Sequence, residues 1–129
     1  MISEEIQLSP SAQAVLFEIN ERLQLFIDSG QTWSIFTNKM SLTPEDRQGI
    51  RDFLGRGSVT IHLTDSAEPA EWMESGTPGV WYGVFYDQTQ NPILETIEIG
   101  SFPQVPGAQI EDVEIGIEIL KKRLMNNKE

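Results

Sequence analysis

The run Val80-Trp81-Tyr82-Gly83-Val84-Phe85-Tyr86, followed after Asp87 to Pro92 by Ile93-Leu94-Glu95-Thr96-Ile97-Glu98-Ile99, decides the fold class. Both runs are rich in β-branched and aromatic residues, and Asp87-Gln88-Thr89-Gln90-Asn91-Pro92 between them is turn chemistry, so they read as an antiparallel hairpin. Side chains alternate across a strand, which puts Trp81 and Phe85 on one face and Tyr82, Val84 and Tyr86 on the other. One of these faces is expected to be less buried.

Towards the N-terminus, Ser58 onward alternates Val59, Ile61 and Leu63 with Thr60, His62 and Thr64, the pattern of a half-buried strand. Thr32 to Thr37 is a further strand, with Trp33 and Ile35 alternating against Ser34 and Phe36. The polar stretch Asp65 to Pro78, with two prolines and Gly76, reads as a loop that leaves room for a short strand around Trp72. Trp72, flanked by Glu71 and Glu74, is the aromatic expected to be exposed and to form part of a binding rim.

Helices bracket these strands. Ser9 caps and Pro10 opens a helix whose stripe is Ala12, Val15, Leu16, Ile19, Leu23, Phe26 and Ile27, ending near Ser29 and Gly30. Thr43 caps a second helix, with Ile50, Phe53 and Leu54 as its apolar face and Gly55 and Gly57 as its stop. Gly100 to Ala108 is irregular, and Ile110, Val113, Ile117, Leu120 and Leu124 then form the stripe of a closing helix. The expected architecture is one α+β domain over residues 1–129, an antiparallel β-sheet with N-terminal and C-terminal helices packed on it.

Composition narrows the function. The 129 residues carry 20 Asp and Glu against 9 Lys and Arg, a formal charge of -11, which opposes nucleic-acid and anionic-lipid partners and favours a basic protein surface. With no cysteine, the chain has no thiolate metal site, disulfide or cysteine nucleophile. No apolar run approaches a membrane span and the N-terminus lacks a signal-peptide pattern, so the expected address is the cytoplasm, without membrane insertion.

His62, the only histidine, has no glycine-framed serine beside it in the sequence and reads as a surface residue on a strand. Glu68 with Glu71, and Glu111, Asp112 and Glu114, match neither an EF-hand loop nor a histidine–carboxylate metal site. Gly55-Arg56-Gly57 follows a helix and precedes a strand, the reverse of the order that cradles phosphate. The residues therefore nominate no catalytic group, metal site or cofactor. A small hydrolase using His62 or a carboxylate pair is the competing enzyme reading, and it requires a formed cleft with shifted pKa values around those groups.

Ile115 and Ile119 fall opposite the stripe of the last helix, and Phe17 and Leu25 fall off that of the first. Three covers are open for these faces: neighbouring elements of the same domain, a homodimer, or a different protein partner.

Five blocks in order, Phe36-Thr37-Asn38, Leu42-Thr43-Pro44-Glu45-Asp46, Leu54-Gly55-Arg56-Gly57-Ser58-Val59, Gly79-Val80-Trp81 and Ile93-Leu94-Glu95-Thr96-Ile97-Glu98-Ile99, resemble the C-terminal domain of HupH/HyaF-type hydrogenase expression proteins over about residues 32–114. The resemblance implies a non-enzymatic accessory protein for NiFe-hydrogenase maturation, partnered by the iron–sulfur small subunit or another maturation factor. Relative to longer members, the chain is expected to lack an N-terminal region, which a separately encoded chain could supply. Within this reading the partner-binding candidates are Trp72, Gly79, Val80, Trp81, Glu95, Glu98, Ile115 and Ile119, with the two glutamates facing a basic partner. A general interaction or dimerisation module without a hydrogenase link is the alternative.

Overall fold

The structure, a computed structural model, describes residues 7–127. Its elements are α1 (Pro10–Ser29), β1 (Trp33–Phe36), a 3-10 turn (Thr37–Lys39), α2 (Pro44–Leu54), β2 (Thr60–Leu63), β3 (Ala70–Glu74), β4 (Val80–Tyr86), β5 (Pro92–Ile99) and α3 (Ile110–Asn126). The strands form one antiparallel sheet in the order β1-β5-β4-β3-β2, so the expected β4–β5 hairpin is its centre and the fold is α+β.

Helix ends follow local chemistry. The Ser9 hydroxyl accepts from the Ala12 N–H at 3.1 Å, and α1 ends at Gly30, whose φ of 76° is the left-handed cap. Thr43 and Asp46 form a capping box, each side chain accepting from the other's backbone N–H. The Ser9 hydroxyl also donates to Asp46 Oδ1 at 2.6 Å, tying the starts of α1 and α2 together. That bond, followed by the Thr43 N–H, holds the Asp46 carboxyl below its usual pKa.

Both helices cover one face of the sheet. Ala12, Val15 and Ile19 of α1 and Ile50 and Leu54 of α2 bury against Val80, Tyr82, Ile97 and Ile99, with Trp33, Ile35 and Met73 at the margin. Two stripe residues depart from expectation: Ile27 and Phe53 are exposed. Every fully buried position of α1 lies in its first half, and its second half is covered only in part, through Leu23 and Phe26.

The short strand for which the stretch around Trp72 left room is present as Ala70–Glu74, paired on both sides. Two further expectations are corrected. Trp72 is not exposed; it is 0% accessible. The α3 stripe does not close a core, since no residue of α3 is buried.

Candidate protein-interaction site

The sheet face away from α1 and α2 is built by register. One row crosses all five strands: Ile61, Trp72, Gly83, Thr96 and Phe36. Gly83 sits in the middle, and the missing side chain leaves a slot for the Trp72 indole. A Cβ at Gly83 would lie 2.3 Å from Thr96 Oγ1, 2.9 Å from Trp72 Nε1 and 3.1 Å from Glu98 Oε2. Through this slot Trp72 Nε1 reaches across β4 and donates to Glu98 Oε2 at 2.8 Å, and the Thr96 hydroxyl donates to the same oxygen at 2.9 Å. A half-buried carboxylate is thus fixed by two donors on a face of mainly apolar side chains, Trp72, Trp81 and Phe85 among them.

Around that carboxylate, Phe85 packs edge-on to Trp72 with ring centroids 5.4 Å apart. Trp81, also buried, donates from Nε1 to the Gly100 carbonyl at 3.2 Å and meets the edge of Phe102 at 6.0 Å. The Gly100–Gln109 segment is thereby drawn over one end of the face. Between it and β1 lies a groove of about 440 Å³ lined by Phe36, Phe85, Thr96, Glu98, Phe102 and Val105 among others. Phe36, Phe102 and Val105 are each about half exposed, at 45%, 48% and 52%. The groove offers apolar contact around a fixed negative charge, the arrangement that binds an apolar segment carrying a cation.

The residues nominated from sequence divide among three places. Trp72, Trp81 and Glu98 come together on this face, the two tryptophans as its buried floor. Gly79 and Val80 lie on the helix side; Gly79 has φ 95° and space so tight that a Cβ would stand 3.0 Å from Leu23 Cδ2, while Val80 is fully buried. Glu95 also points to the helix side, where Oε1 pairs with Arg51 at 2.9 Å and Arg47 at 3.6 Å. Its charge is already met within the chain, against the expectation that it faces a partner. Ile115 and Ile119 stand exposed on α3.

Phe36, Gly83, Thr96, Phe102 and Val105 were not nominated from sequence. Gly83 between Trp81 and Phe85 was the available signal, because a glycine in a strand interior marks a close approach by another group. The Gly100–Gln109 contributions carry no periodic signal.

Elsewhere, His62 is exposed and lies 3.4 Å from Glu71 at the open edge of β2. Among the described residues no three His, Cys, Asp or Glu side chains are grouped to hold a metal ion. A second groove of about 430 Å³, between α1 and α2, is lined mainly by Leu8, Leu16, Phe17, Leu23 and Phe53 and has no ionisable side chain in its wall.

Comparison with known proteins gives concordant results. Residues 10–126 match the family described as HupH hydrogenase expression protein, C-terminal conserved region. The hydrogenase expression/formation protein HoxQ of Azotobacter vinelandii is 32% identical over 83 residues, covering 64% of this chain and 29% of that protein. The hydrogenase expression/formation protein HupH of Rhodobacter capsulatus is 32% identical over 104 residues, covering 81% and 37%. The chain therefore spans about a third of the length of these relatives. The solved structure of the hydrogenase expression protein HupH from Thiobacillus denitrificans superposes with a TM-score of 0.82 at 26% identity, covering 93% of this chain and 99% of that one. The match takes in α1 and α3 as well as the sheet, and by it the chain belongs to the HupH hydrogenase expression proteins, through their C-terminal conserved region.

Proposed function

We propose that the chain is a non-catalytic accessory protein of NiFe-hydrogenase maturation that binds the iron–sulfur small subunit during assembly. The observation that carries this reading is membership, over residues 10–126, of a family whose relatives are named hydrogenase expression/formation proteins. The geometry supports binding rather than chemistry. The best-organised polar group on the open face, Glu98, is held by Trp72 and Thr96 in a shallow aromatic groove. A formal charge of -11 speeds encounter with a basic surface, and the half-exposed Phe36, Phe102 and Val105 supply apolar contact after it.

In this reading the protein needs no cofactor and works in the cytoplasm before the subunits join. Among the described residues no helix is long and apolar enough to cross a membrane.

The test is affinity capture of the tagged chain from a host induced for hydrogenase. The expected result is copurification of the small-subunit precursor, with recovery falling about tenfold in Phe102→Asp/Val105→Asp. If the wild-type chain captures no hydrogenase subunit or maturation factor, the reading fails. Equal recovery with the double variant moves the contact off the groove while leaving the maturation role.

A further inference from the structure

Along α3 the described chain exposes a continuous apolar stripe. Ile110, Val113, Ile117, Leu120 and Leu124 recur at alternating spacings of three and four, the seam of a two-stranded helical pair, and they are 47% to 71% exposed. A helix of this length draws most of its stability from packing, and this one carries Gly116 in its interior. The seam calls for an apolar partner of matching length.

Charge along the helix selects that partner. The first half carries Glu111, Asp112, Glu114 and Glu118, and the second half Lys121, Lys122 and Arg123. A second copy laid antiparallel brings the acidic half of each helix against the basic half of the other and opposes the two helix dipoles. In the register that stacks Val113 on Leu124 and Ile117 on Leu120 of the other copy, Glu114 flanks the seam beside Lys121 of that copy, twice by symmetry. A shift by one heptad in one direction puts Glu114 against Glu114, and in the other puts Lys121 against Lys121. A parallel pair aligns acid with acid and offers no ion pair beside the seam. Only one register satisfies both the apolar stripe and the charges.

We infer that α3 is a self-association element, pairing antiparallel with α3 of a second copy through the Val113, Ile117, Leu120 and Leu124 seam and two Glu114–Lys121 ion pairs. Ile115 and Ile119 lie outside this contact. The inference is independent of the hydrogenase reading, since it concerns only copies of this chain.

Sedimentation equilibrium of the full chain is expected to give twice the monomer mass. Ile117→Asp is expected to return it to the monomer, while Ile115→Ser is not. Because the α3 side chains are exposed in the single chain, neither change disturbs the sheet, and an unaltered near-ultraviolet spectrum checks this. Lys121→Glu is expected to weaken the dimer about tenfold, and Glu114→Lys/Lys121→Glu to restore it. The chain has no cysteine, so introduced cysteines read the register: Val113→Cys/Leu124→Cys is expected to give a disulfide-linked dimer under oxidation and neither single variant to give one, whereas Ile117→Cys alone crosslinks only in a parallel pair. A monomer at about 100 µM, a dimer that survives Ile117→Asp, or crosslinking of the Ile117→Cys variant overturns the inference.

Discussion

Gly83 shows how far one residue without a side chain can organise a surface. Its absence of a Cβ lets the Trp72 indole pass over β4 and bond to a carboxylate two strands away. Burying an indole is strongly favourable, but only if its N–H finds an acceptor, and Glu98 is that acceptor. Gly83→Ala drives a methyl into Thr96 Oγ1 and the indole nitrogen, and the neighbours that must give are themselves held in the sheet. The expected cost is about 2 kcal/mol in urea denaturation, with a change in tryptophan fluorescence as the indole leaves its slot. Stability and emission both equal to wild type would show that the slot relaxes freely. The same residue explains why the sequence misplaces Trp72. Its local surroundings, Glu71, Glu74 and nearby prolines, are those of a solvated loop, and what buries it lies on other strands. The strands β4 and β5 were legible because each is a long run rich in β-branched and aromatic residues beside turn chemistry; β3 has only five residues, two of them glutamates.

At the scale of elements, the attachment of α2 to the sheet depends on a strand residue acting as a cap. The Tyr82 hydroxyl lies 3.1 Å from two carbonyls, that of Arg51, which also accepts the Gly55 N–H, and that of Gly55, just past the end of α2. Burial raises its pKa to about 12, and the nearby Arg51 opposes that shift only in part. A proton held more tightly in the folded chain than in the unfolded one stabilises the fold fully below about pH 10, and that contribution is lost as pH rises through about 12. Tyr82→Phe is therefore expected to cost about 1 kcal/mol at neutral pH and to flatten the loss of stability between pH 10 and 12. Tyr86, whose pKa burial and Glu71 also raise, leaves a residual slope. An alkaline slope identical in wild type and variant, followed by urea midpoints, would remove Tyr82 as its source. The helix starts were legible because Ser9-Pro10 and Thr43-Pro44 carry their own chemistry. The tie from β4 to the end of α2 was not, because nothing local to Tyr82 names its acceptors. The α1 and α3 stripes were both visible as periods, yet period says which residues share a face and not whether anything covers it: α1 packs on the core from Ala12 to Phe26, and no residue of α3 is buried.

At the scale of the molecule, the two proposed contact surfaces stand on different elements. The aromatic groove with Glu98 belongs to the sheet and the Gly100–Gln109 segment, and the heptad seam belongs to α3. They differ in character, which separates their energetics. The seam is aliphatic, self-complementary and balanced in charge along its length, whereas the groove has a lone fixed carboxylate in a chain of charge -11. Long-range attraction to a basic partner is screened within about 10 Å at 0.1 M salt, so raising the salt weakens capture through the groove mainly by slowing association. Pairing through the seam rests on apolar burial with only two flanking ion pairs, and it responds little. The expected outcome is a double dissociation: Phe102→Asp/Val105→Asp lowers capture of the hydrogenase partner and leaves the sedimentation mass unchanged, while Ile117→Asp halves the mass and leaves capture per chain within about twofold. Between about 50 and 500 mM salt, recovery of the partner falls severalfold as the dimer persists. Loss of both properties in either variant would mean that the two surfaces form one interface, with the Gly100–Gln109 segment coupling groove to helix.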